Sequence, residues 1–185
     1  MNKSILEKIS SQHPIVLIGM MGAGKTSIGR ALADLMSVPF FDSDAEIESA
    51  AGCSVAQIFS DYGEAEFRRM EQEVTARLLE RDSCLLSLGG GAFMDEQTRA
   101  RIKQRAFSVW LRVEPEILLK RVLRHGNRPL LKGDAPKQKL EQLLSEREPI
   151  YAGADLIAFC DDRPVGENAR QIMLAIQVAL ASQTR

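Results

Sequence analysis

Short apolar runs recur along the chain, separated by longer stretches with helical spacing. Ile15 to Ile18, Val38 to Phe41, Cys84 to Leu88, Val109 to Val113 and Leu156 to Cys160 are mainly apolar without strict alternation. Such runs suit strands covered on both faces, and their alternation with helical stretches suits a parallel sheet wound by crossover helices. The pattern predicts an α/β fold, a three-layer doubly wound sandwich around a five-stranded parallel sheet. Phe67, Met70, Val74 and Leu78 fall at spacings of three and four, which predicts a helix from about Glu64 to Arg81 with one face in the core. Ile172, Ile176 and Leu180 do the same near the C-terminus.

The stretch from His125 to Lys139, HGNRPLLKGDAPKQK, breaks the rhythm. Its Gly, Pro and basic residues pack poorly into a core, so it reads as a mobile surface loop, inserted at about 125–139 into a single domain spanning 1–185. A chain of 185 residues with 45% apolar composition can bury one core of that size. Lys plus Arg (24) nearly balance Asp plus Glu (25), and the net charge of −1 offers no whole-molecule field for nucleic acid or an anionic membrane. The apolar run from Ile15 to Met21 is too short to span a bilayer. Cys53, Cys84 and Cys160 are odd in number and lack CxxC spacing, which argues against disulfides or zinc and for a reducing cytoplasm.

Chemistry enters with Gly19-Met20-Met21-Gly22-Ala23-Gly24-Lys25-Thr26, which fits GxxxxGK[ST] between the first strand and a helical pattern. In such a loop backbone amides from Gly22 through Ser27 face phosphate oxygens, Lys25 reaches the outer phosphates and Thr26 offers its hydroxyl to Mg²⁺. The second strand ends in Phe41-Asp42-Ser43-Asp44, two acids directed at the same sheet edge. One carboxylate can hold a metal-bound water while the other orients an attacking hydroxyl; equally, Ser43-x-x-Glu46 reads as a capping box. The chain has no NKxD for guanine, and its third strand runs into Ser-Leu-Gly-Gly-Gly where many ATPases carry an Asp-Glu pair. Both features point away from a switch or a hydrolytic motor and toward small-molecule kinases.

Taken in order, GMMGAGKT, FFDSD, the Ile58-Phe59 pair, GEAEFRRME, LGGG, RPLL and REPIY resemble the shikimate kinase family from about Ile15 to Asn168. The resemblance implies transfer of the terminal phosphoryl group of ATP to the 3-hydroxyl of shikimate, giving shikimate 3-phosphate and ADP, with Mg²⁺ as cofactor. It implies that Asp44 contacts the substrate hydroxyls and acts as base, while Asp42 organises the metal through water. Arg68 and Arg147 would bind the substrate carboxylate, and Gly90 would approach the substrate with its backbone N–H. Arg128 would close over ATP as a lid residue and catalytic group beside Lys25 and Asp44. A segment near Arg163 would contact adenine, in a register the sequence leaves open. The expected partners are ATP and shikimate, with no nucleic acid and no membrane, and the expected state is a monomer in the cytoplasm. From the residues alone, Arg68 also reads as a solvated helix charge, Arg147 as a helix-terminal arginine and Gly89 to Gly91 as a plain turn. Gluconate or a nucleoside monophosphate remains open as acceptor, as does a nucleotide-binding module without catalysis.

Overall fold

The computed structural model describes residues 13–125 and 136–183. Five strands, β1 (Ile15–Ile18), β2 (Phe40–Asp42), β3 (Leu85–Ser87), β4 (Phe107–Val113) and β5 (Leu156–Cys160), form one parallel sheet in the order β2-β3-β1-β4-β5. Helices α1 (Lys25–Met36), α2 (Ser43–Ala51), α3 (Val55–Leu79), α4 (Glu96–Arg105), α5 (Pro115–His125), α6 (Pro136–Tyr151) and α7 (Val165–Gln183) make up the outer layers. The predicted three-layer, doubly wound fold is therefore the observed one. β1 is wholly buried at the centre, with Val16 and Leu17 fully inaccessible, as an apolar strand flanked on both sides must be.

The chain leaves β1 through α1 toward β2, and leaves β3 through α4 toward β4, in the opposite sense. Neighbouring strands whose connections diverge open a crevice at their carboxyl ends. The loop after β1 and the glycine triplet after β3 border that crevice.

Several boundaries differ from the sequence reading. Val38 falls outside β2 because its N–H donates to the Ala33 carbonyl at 3.1 Å, closing the end of α1 behind the left-handed Ser37. The helix predicted from Glu64 does start there, because Gly63 (φ 81°, ψ 173°) breaks α3 into two; what the spacing did not predict is the preceding segment, opened at Val55 by a capping box of Ser54 and Gln57. Ser43 is not the cap of α2; Asp42 is, its carboxylate accepting from the N–H groups of Asp44 at 3.1 Å and Ala45 at 3.5 Å. β5 is covered on only one face, so Ile157 and Phe159 are exposed between buried Ala158 and Cys160.

The segment expected as a loop at about 125–139 is helical at both ends, since α5 runs to His125 and α6 starts at Pro136. Proline is favoured at a first helical position, where its missing N–H costs nothing, so the pair of signals read as loop is in part a helix start. Residues 126–135, with Arg128, lie outside the described residues. Among the described residues no helix is long and apolar enough to cross a membrane.

Candidate active site

The loop from Gly19 to Gly24 wraps the start of α1. Gly19 has φ +139°, and a Cβ there would meet the Leu111 carbonyl oxygen at 2.7 Å, so only glycine can leave β1 this close to β4. Gly24 caps α1 in the left-handed region without any side-chain bond, leaving the first amides of the helix for an incoming anion. Lys25 Nζ donates to the carbonyls of Gly19 (2.9 Å) and Met20 (3.0 Å), which holds the ammonium group inside the curve of the loop. Ala23 is buried, and its N–H turns inward onto the Met20 carbonyl at 3.1 Å. Gly22, Gly24, Lys25, Thr26 and Ser27 border a cleft of about 650 Å³ that also reaches Asp42, Asp44, Gly89 and Gly90. Thr26 Oγ1 donates to Asp42 Oδ2 at 2.7 Å. A hydroxyl and a carboxylate set together beside a phosphate cradle are hard oxygen donors, and they suit Mg²⁺.

The opposite wall is built on the triplet. Ser43, fully buried, accepts the Gly89 N–H at 2.9 Å and so fixes the triplet against the start of α2. Each glycine then touches a different charged group. A Cβ on Gly89 would lie 2.8 Å from Asp44 Oδ1 and 2.6 Å from Glu71 Oε1; one on Gly90 would lie 3.4 Å from Arg147 Nη1; one on Gly91 would lie 2.5 Å from Arg68 Nη1. The sequence placed these residues far apart, and the fold gathers them around one short segment. Arg68 and Arg147 share a second cavity of about 440 Å³ with Gly91.

Two groups that the sequence reading quoted without a role belong here. Glu71 is buried at 3% exposure and accepts from Arg68 Nη1 at 2.5 Å, while Arg68 also reaches Glu64 Oε1 at 3.2 Å. Burial pushes the Glu71 carboxyl above the usual range, with the Arg68 guanidinium pulling against it and the nearby Asp44 reinforcing the rise. Tyr151, fully buried, donates its hydroxyl to the Gly90 carbonyl, which also accepts from Arg147 Nη1 at 3.1 Å. Burial raises the Tyr151 phenol, so it remains a donor. Both residues sit inside the quoted motifs, GEAEFRRME and REPIY, and the motif was the only available signal.

Arg163 borders the same cleft as the phosphate loop, with its guanidinium on Asp161 at 2.8 Å. Arg121 was missed altogether. It joins the Gly22 carbonyl (3.4 Å) to the Asp161 carbonyl (2.7 Å), contacts whose partners lie 99 and 40 residues away. By contrast Arg69 is half-exposed and pairs with Glu66 and Glu73 on the helix surface.

A profile of the shikimate kinase family, described as "Shikimate kinase", matches residues 21–177. A shikimate kinase of Mesorhizobium japonicum is 50% identical over 161 residues, covering 86% of this chain and 79% of the relative. The chain belongs to the shikimate kinase family. It is accordingly a kinase, and the sheet and helices agree with solved members. A shikimate kinase from Acinetobacter baumannii, in complex with shikimate, superimposes with a TM-score of 0.89 at 36% identity, covering 97% of this chain and 99% of that one. A gluconokinase from Sinorhizobium meliloti shares only the fold, at a TM-score of 0.58 and 19% identity over 93% of this chain and 98% of that one.

Proposed function

We propose that this chain carries the terminal phosphoryl group of ATP to the 3-hydroxyl of shikimate, releasing ADP and shikimate 3-phosphate. The observation that carries the reading is the triplet of glycines touching Asp44, Arg147 and Arg68 in turn, directly beside the phosphate loop. Two guanidinium groups with parallel N–H donors match a ring carboxylate, and Asp44, which borders the cleft and also touches the triplet at Gly89, suits a ring hydroxyl.

In this reading the amides of Gly22 and of Gly24 through Ser27, with the Lys25 ammonium, bind the phosphates, while the Ala23 amide stays on the Met20 carbonyl and Arg163 stands on the base side. Arg68 and Arg147 orient the acceptor by its carboxylate, and Gly90 lets the backbone come close enough to touch it. Asp44 takes the proton from the attacking hydroxyl, a contribution of about 10²- to 10⁴-fold. Mg²⁺, held by Thr26 and through water by Asp42, would neutralise charge on the outer phosphates. Positioning and charge neutralisation supply most of the acceleration, because phosphoryl transfer asks little covalent chemistry of the protein. Arg128 completes the catalytic group as the lid residue within a single domain spanning 1–185; the family likeness alone supports that role. A monomer in the cytoplasm belongs to the same reading, and the three free thiols suit a reducing compartment.

The test is ADP release by the purified protein with MgATP and, in parallel, shikimate, gluconate or a nucleoside monophosphate. Turnover with shikimate alone is expected. Turnover with either other acceptor and none with shikimate would replace this reading.

A further inference from the structure

A turn from Asp161 to Pro164 joins β5 to α7, and because β5 and β2 are the two edge strands of the sheet it stands at the end of the cleft away from Asp44. Asn168, in the first turns of α7, is 3% exposed and borders the cleft. Its Nδ2 donates to the carbonyls of Asp161 (3.3 Å) and Arg163 (3.1 Å), and its Oδ1 accepts the Asp161 N–H at 3.4 Å. One carboxamide thus holds three main-chain groups of this turn. This is not helix capping, which requires a side-chain oxygen accepting from the first amides of the helix. Here the Pro164 carbonyl already receives the N–H groups of Glu167 (2.9 Å) and Asn168 (3.2 Å), and the Asn168 side chain reaches backward instead.

The turn is also tied to the phosphate loop. The Asp161 carbonyl accepts from both Asn168 and Arg121, and Arg121 continues to the Gly22 carbonyl. A nucleoside triphosphate with its phosphates over Gly22 to Thr26 and its outermost phosphate toward Asp44 must lay its base at the opposite end. The wall there is made of Arg121, Arg163, Val165 and Asn168.

We propose that Asn168 is a positioning residue for the nucleotide base: it fixes the Asp161–Arg163 turn as the surface against which the purine of ATP lies. The proposal rests on the reading of this cleft as the ATP site and is independent of which acceptor is used. Asn168→Ala removes both donors and the acceptor, while Asn168→Asp keeps the size and the acceptor but cannot donate to the carbonyls.

Calorimetric titration of the full chain with ADP and, separately, with inorganic pyrophosphate tests it. For both variants the ADP Kd should rise about tenfold, as expected for lost buried hydrogen bonds, while the pyrophosphate Kd stays within about twofold. In turnover assays the KM for ATP should rise, with kcat and the KM for shikimate nearly unchanged. Unchanged ADP affinity would overturn the proposal, and so would equal weakening of ADP and pyrophosphate, which would signal general loss of structure. If Asn168→Ala fails to fold, Asn168→Asp decides with the same two titrants. Wild-type protein that binds ADP but ignores shikimate would defeat the acceptor assignment and leave this proposal standing. Wild-type protein that does not bind ADP would defeat both.

Discussion

Thr26 and Asp42 meet across 2.7 Å, hydroxyl to carboxylate, and so join the first turn of α1 to the end of β2. The same Asp42 carboxylate caps α2 with its other oxygen, at 3.1 Å from the Asp44 N–H. One side chain therefore serves a metal-competent pair and sets the backbone that presents Asp44.

Asp42→Asn should separate these duties. The amide oxygen can still cap α2, so the melting temperature should fall little, whereas a neutral ligand weakens Mg²⁺ binding through water. The Mg²⁺ concentration for half-maximal activity should rise several-fold, about the cost of one supporting ligand contact. A titration of activity against Mg²⁺ reads it directly; an unchanged midpoint would remove Asp42 from the metal.

Asp44→Asn should keep ADP affinity and lower kcat by about 10²- to 10⁴-fold. Single-turnover kinetics with saturating ATP and shikimate measures the chemical step. Full activity in the variant would take Asp44 out of the reaction.

Gly91→Ala should raise the KM for shikimate and leave that for ATP alone. The new methyl group would sit 2.5 Å from Arg68 Nη1, so the guanidinium must turn away from its place. Arg68→Ala should do the same by deletion, at about tenfold or more for a lost charge-assisted contact. Combining the two changes should cost little beyond either one, since both act on one group. Additive losses in steady-state kinetics would show that Gly91 acts apart from Arg68.

Tyr151→Phe removes only a hydroxyl, and the Gly90 carbonyl retains Arg147 at 3.1 Å. The buried carbonyl keeps one partner, so the loss should be about 1 kcal/mol, or about fivefold in kcat/KM for shikimate. The expected signature is a shikimate-specific effect with ATP kinetics intact. Equal changes for both substrates would indicate a packing role against Trp110, whose ring lies 5.8 Å away.

Thiol titration at pH 8 should show one fast group and two slow ones. Burial pushes the thiols of Cys84 and Cys160 up to about 11, and both are nearly inaccessible, so little reactive thiolate exists. Half-buried Cys53 is the fast one. Three fast thiols in the native protein would contradict the packing of β5 and the start of β3.

The sequence made strands visible where burial is two-sided or bounded by clear turns: β1 and β5 begin and end where their apolar runs do. It misled at Val38, whose β-branched side chain suggested a strand while its N–H closes a helix. The sequence marks Asp42 as a metal candidate but offers the capping role to Ser43, whose hydroxyl is instead committed to Gly89 across 46 residues. That kind of contact has no local period or spacing to betray it. The same holds for Arg121, which reads as one polar position on an amphipathic helix until the fold sets it against Gly22. Residues carried by motifs, such as Arg68, Gly90 and Arg147, were legible as candidates because each motif is a short string, and the fold gathers all three around the triplet.

The phosphate loop and the glycine triplet issue from adjacent strands, and Leu17 pairs with Ser87 just before both depart. The Leu88 N–H then donates to the Leu17 carbonyl at 3.1 Å, the last rung between them. Main-chain bonding between two strands thus works as a ruler that spaces the giving end of the reaction from the receiving end. A one-residue slip between β1 and β3 would turn the side chains of β3 to the opposite face of the sheet and carry the glycine triplet out of line with the phosphate loop.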